Sequence, residues 1–160
     1  MGELIFFCGK MGAGKSTMAN QLASKAGAIL ISEDAWLATL YPGEINTFDD
    51  YLQFSARLKP LVKNLAISLL ASGVTVILDF PGNTKTQRTW FRSIFQAGEY
   101  PHRLIYLNAD DDLCLGRLAI RREEQPARAA FDNEAVFKQV TQYFEPPSDD
   151  EGFQVDVIQP

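Results

Sequence analysis

The chain has 160 residues, 46% hydrophobic and 22% charged, with a formal net charge of −5. That balance suits one soluble domain, 1–160, with enough apolar material for a real core. It excludes a disordered chain, contains no run near the roughly 20 apolar residues of a membrane span, and weighs against broad nucleic-acid binding while leaving room for a local basic site.

The first element in chain order is an apolar strand, Leu4-Ile5-Phe6-Phe7-Cys8, which stops at Gly9. Residues Gly9 to Ser16 spell G-x-x-x-x-G-K-S, and good helix formers follow over 16–26. Strand, glycine loop and helix together mark a phosphate-binding loop. The glycines let consecutive N–H groups curl around phosphate oxygens, and the helix N-terminus and Lys15 supply positive charge. Gly9, Met11, Gly12, Ala13, Gly14, Lys15, Ser16 and Thr17 are therefore the expected contacts to a nucleoside triphosphate, with the Ser16 hydroxyl on Mg2+. The alternative, a glycine turn without a ligand, is much the weaker one. A GTPase would need a base-reading N-K-x-D after a strand, which the sequence lacks; the expected nucleotide is ATP.

A second strand, Ala28–Ile31, runs into Ser32-Glu33-Asp34. Ser32 can cap a following helix with both acids at its positive end. Ligands in parallel α/β sheets bind beyond the carboxyl ends of strands, so Asp34 is also the candidate general base, with Glu33 in reserve. The stretch 34–60 is the expected acceptor side and is rich in rings: Trp36, Tyr41, Phe48, Tyr51 and Phe54. Most should pack in the core; two facing a cleft would favour a flat or apolar alcohol or a nucleobase. A long amphipathic helix spans 48–72, and Arg57, Arg88 and Arg92 are candidates for holding an anionic acceptor.

A third strand, Gly73–Leu78, ends in Asp79, which is a turn residue or a magnesium ligand beside Ser16. A helix over 84–97 leads to a fourth strand, His102–Leu107, and another helix over 110–124 carries Arg117, Arg121 and Arg122. With Arg128 these form either a solvated face paired to Glu123 and Glu124 or a lid, about 121–132, that closes on the triphosphate. A helix over 133–144 and a fifth strand, Phe153–Ile158, complete the order. Gly27, Gly73 and Gly98 each close a helix before a strand. The expected fold is a three-layer α/β/α sandwich around a five-stranded parallel sheet. Cys8 and Cys114 read as buried thiols in a reducing, cytoplasmic setting, and one histidine, His102, leaves no zinc-type ligand set.

These landmarks resemble the nucleoside-monophosphate-kinase-like P-loop kinases. Leu78-Asp79-Phe80-Pro81 with Gln87 is similar to the L-D-G-F-P-R…Q segment of adenylate kinases, except that Gly82 stands where they have arginine. Arg117-Leu118-Ala119-Ile120-Arg121-Arg122 is similar to their R-x-x-x-R-R run, which implies Arg117 on the adenine and Arg121 on the phosphates. Ser32-Glu33-Asp34 resembles the corresponding segment of polynucleotide-kinase-like and chloramphenicol-phosphotransferase-like enzymes, which implies Asp34 as general base. The chain thus looks like one of the small AAA-type predicted kinases, with Lys15, Asp34 and Arg121 catalytic and Ser16 and Asp79 on the metal.

The expected function is phosphotransfer from ATP to a hydroxyl of a small molecule. A polynucleotide 5′-kinase shares the chemistry but needs a basic channel. A nucleotide-dependent ATPase or switch without an acceptor is the third reading. No membrane partner is expected, and the chain is expected to act as a monomer or homodimer.

Overall fold

The computed structural model describes residues 2–25, 27–126 and 132–160. Five strands, β1 (Leu4–Cys8), β2 (Ala28–Ser32), β3 (Thr75–Asp79), β4 (His102–Leu107) and β5 (Val155–Ile158), form one sheet in the order β2-β3-β1-β4-β5. Every pairing is parallel, with Phe6 level with Leu104 and Ser32 level with Asp79. That last register brings the two acidic strand ends, after β2 and β3, to one height.

The helices are α1 (Lys15–Ala23), α2 (Glu33–Leu40), α3 (Phe48–Ala71), α4 (Lys85–Phe95), α5 (Asp111–Glu124) and α6 (Glu134–Thr141). Alternation along β1 sorts them into two layers. Leu4, Phe6 and Cys8 face the side covered by Leu37 of α2, Leu58, Val62 and Leu70 of α3, and Phe91 and Ile94 of α4. Ile5 and Phe7 face the other side, against Ala19 of α1, Cys114 and Leu118 of α5, and Phe137 of α6. The three-layer sandwich follows directly, since a strand buried on both faces must be covered twice. Each fully buried leucine or valine of α3 contributes about 1.5–3 kcal/mol relative to exposure.

Local chemistry sets the helix ends. Thr47 and Thr84 form capping boxes with Asp50 and Gln87, and Ser32, Asp110 and Asn133 accept from the first turns of α2, α5 and α6. Gly27 and Gly73 take the left-handed conformation as expected, but after α4 the left-handed residue is Glu99 (φ 52°) rather than Gly98. Gly98 is instead pressed against the Tyr100 ring, where a Cβ would come within 2.5 Å. None of the helices among the described residues is long and apolar enough to cross a membrane.

Candidate functional site

At the end of β1 the chain turns at Gly9, whose N–H donates to Asn83 Oδ1 at 2.9 Å. Asn83 follows β3, so the loop is anchored to the neighbouring strand. Gly12 (φ 79°) and Gly14 (φ 103°) then bend the backbone into α1. No side chain caps α1, whereas side chains cap all of α2 to α6. Its first-turn N–H groups, which have no helical carbonyl to meet, are left to an anion.

Lys15 lies at the loop's centre, half-buried, with its ammonium donating to the carbonyls of Gly9 and Lys10. Burial pushes its pKa down to about 8, and the Arg121 guanidinium adds to that while Asp79 opposes it. Ser16 Oγ donates to Asp79 Oδ2 at 2.9 Å. Burial raises the Asp79 pKa, the Asp34 charge raises it further, and Ser16 and Lys15 counteract both. A hydroxyl beside a single carboxylate is the donor set that magnesium uses together with phosphate oxygens and water. No cluster of three or more histidine, cysteine or acidic side chains suited to a metal occurs among the described residues.

The arginines of α5 approach this loop differently. Arg117 Nη1 donates to the Ala13 carbonyl at 2.7 Å, which seats its guanidinium against the loop. Arg121 is gripped through Nε and Nη2 by the two carboxylate oxygens of Asp132, at 2.6 and 2.7 Å. Arg122 Nη1 donates to the Asp132 carbonyl at 2.9 Å. Asp132 is fully buried, so one acid orients the arginine that lies near Lys15. Arg128 and the segment 127–131 of the expected lid fall outside the described residues.

Beyond β2 the two adjacent acids separate. Glu33 turns inward, 3% exposed, and accepts from Tyr51 Oη and from Ser55 Oγ (2.8 Å) of α3. Burial raises its pKa, against the pull of those two hydrogen bonds. Both of its oxygens are committed. Asp34, one residue on, is exposed and lines an open cleft of about 510 Å3. The cleft lies between α2, the loop through Tyr41 and Ile45, and Tyr51 of α3.

Arg88 and Arg92 are not free for an acceptor. Arg88 is fully buried, pairs with Glu151 through Nε (2.8 Å) and Nη2 (3.0 Å), and donates from Nη1 to the Gly82 carbonyl. Arg92 donates to the Glu151 carbonyl and covers the Phe153 ring. Both hold the segment before β5, as charged groups must be paired when buried. Arg57 lies over the ring of Phe54. Gly82 departs from the adenylate kinase pattern for a local reason: a Cβ there would stand 2.4 Å from the Phe7 carbonyl. Gln87 serves the cap of α4, accepting from the N–H groups of Asn83 and Thr84. Asn83 and Asp132 carry parts of the arrangement that composition and spacing gave no reason to single out, whereas Tyr51, expected as one of the acceptor-side rings, lines the cleft and holds Glu33.

Residues 4–147 match the model of the AAA domain family. A search of the curated proteins found no match. Among solved structures, a protein from Chloroflexus aurantiacus provisionally named a kinase is 20% identical, with a TM-score of 0.74 over 99% of this chain and 88% of that one. Kti12 of Chaetomium thermophilum, in complex with ADP-AlF3, is also 20% identical, with a TM-score of 0.68 over 98% and 88%. The APS kinase CysC of Mycobacterium tuberculosis, with AMPPNP and APS, is 16% identical, with a TM-score of 0.62 over 99% and 88%. At these identities the likeness speaks for the fold, which is that of the P-loop kinases. With its glycine loop between β1 and α1 and a family match over most of its length, the chain belongs to the AAA domain family.

Proposed function

We propose that the protein is an ATP-dependent phosphotransferase that moves the γ-phosphate to a hydroxyl of a small molecule. The carrying observation is the position of Asp34, exposed in a cleft yet near enough to Asp79 to raise its carboxyl pKa. A hydroxyl bound in the cleft gives its proton to Asp34 as its oxygen attacks the γ-phosphorus, and the bond to the β–γ bridging oxygen breaks to release ADP. Lys15 and Arg121 meet the phosphate oxygens, with Asp132 holding Arg121 in place, and Arg117 borders the nucleotide at Ala13. Ser16 and Asp79 would hold Mg2+, which supplies charge neutralisation across the β- and γ-phosphates when bound. Likeness to an APS kinase and to other P-loop kinases supports this reaction class.

Replacing Asp34→Asn should lower acceptor-dependent ADP release by about 10²–10⁴-fold, the usual worth of a general base. Calorimetric ATP affinity should stay close to that of the unaltered protein. Transfer at the original rate would overturn the assignment. A polynucleotide 5′-kinase is disfavoured because none of the residues lining the cleft is lysine or arginine.

A further inference from the structure

The cleft's chemistry narrows the acceptor, given the phosphotransfer reading. Its lining carries one formal charge, the Asp34 carboxylate, and no cation. Leu37, Ala38, Pro42 and Ile45 supply an apolar surface, and Tyr41 and Tyr51 supply two rings. Both rings are set before any ligand arrives. Tyr41 stacks on Phe54 with centroids 4.2 Å apart, and Tyr51 is held through its hydroxyl by Glu33. Glu33 is in turn fixed by Ser55, so the wall is tied into α3.

Donor and acceptor counting adds a second constraint. Tyr51 gives its only hydroxyl proton to Glu33, so its oxygen can only accept from a ligand, and a carboxylate at Asp34 likewise accepts. A phosphate or carboxylate on the acceptor would face these lone pairs with no cation among the lining residues to offset them. A neutral hydroxyl meets them as a donor, and a flat or apolar body meets the rings and methyl groups.

We propose that the acceptor is an alcohol without anionic groups whose flat or apolar body packs against Tyr41 and Tyr51, with Glu33 acting as a positioning residue for Tyr51. Matched probes test this on the full chain: benzyl alcohol against 4-(hydroxymethyl)benzoate, and thymidine against thymidine 5′-monophosphate. Binding to the AMPPNP-loaded protein is read by calorimetry and transfer by ADP release with ATP. The uncharged member of each pair should bind at least about tenfold more tightly, in keeping with the cost of unpaired like charges. Tyr51→Ala should weaken that binding by about tenfold, the low end of what removing an apolar contact costs, while ATP affinity holds. Glu33→Gln should raise KM for the acceptor more than it lowers kcat. Should Tyr51→Ala fail to fold, Ala38→Arg at the exposed cleft wall should move preference toward the anionic member. Uncharged alcohols that bind but are not phosphorylated would leave the cleft's preference for uncharged alcohols standing and count against the phosphotransfer reading on which their role as acceptor rests. Preference for the anionic members, or no binding by any probe, would overturn the inference itself.

Discussion

Around Gly9–Ser16 the site is built from backbone N–H groups, a lysine and two arginines, whereas between α2 and the start of α3 it is built from rings, methyl groups and one carboxylate. On the proposed reading the first is a donor half that would work by charge and tolerate little displacement, because its groups must meet phosphate oxygens whose positions are fixed by chemistry. The second is an acceptor half that would work by shape. Its partners are held by packing and by one buried carboxylate, and its content can change without disturbing the loop. The two halves meet where the Asp34 charge bears on Asp79.

The sharpest way to separate the halves is Lys15→Met. It should reduce both acceptor-dependent transfer and acceptor-independent ATP hydrolysis by about 10²–10³-fold, as removal of a preorganised positive group does. Binding of an uncharged alcohol, measured by calorimetry, should survive; its loss would show that the halves are not separable. A smaller effect is expected from Asp132→Asn, which weakens the grip on Arg121 without touching the cleft. A fall in kcat of roughly ten- to 10²-fold, the scale of a misplaced catalytic group, should appear with unchanged acceptor KM. An unchanged kcat would mean that Arg121 needs no second residue to orient it.

The mildest effect is one of protons. Lys15 is depressed to about 8, below the value near 10.4 of a free lysine, so the folded protein without nucleotide sheds this proton first. Between those values the unfolded chain binds more protons, and this group's contribution to stability therefore grows as pH rises from about 8 to about 10.4. Below about 8 both states are charged and the contribution is flat. Phosphate beside the ammonium should raise its pKa again. ATP binding above pH 8 should therefore take up a fraction of a proton, visible as a dependence of the calorimetric heat on buffer ionisation enthalpy. Lys15→Met should abolish that dependence, and its persistence would assign the proton elsewhere.

Much of the donor half was legible in the sequence, because the loop writes its backbone requirements as glycines and sits between a strand and a helix that announce themselves. Parallel strands buried on both faces are continuous apolar runs, and all five appear within a few residues of their expected places. Asp34 and Asp79 were legible as the acids that follow strands. What adjacent carboxylates cannot reveal is which one turns inward: that depends on the phase of α2 against α3, and it makes Glu33 a buried brace and leaves Asp34 in the cleft. Arg88 misled for a related reason. Its partner Glu151 lies far along the chain, and no local pattern signals that an arginine on α4 will be fully enclosed.

That enclosure has a consequence for how the molecule comes into being. Arg88 and Glu151 are 63 residues apart, so at a synthesis rate of about 5–20 residues per second the cation is made roughly 3–13 s before its counter-ion. Leaving one member of a buried pair alone costs about 3–5 kcal/mol, which is enough to keep α4 from settling against Phe6 and Phe80 in the interval. The glycine loop, the cleft and four of the strands are made by then, yet that face of the sheet waits for the arrival of the segment before β5. A nascent chain halted short of Glu151 would hold nearly every group of the site and still lack the tie that lets its core close.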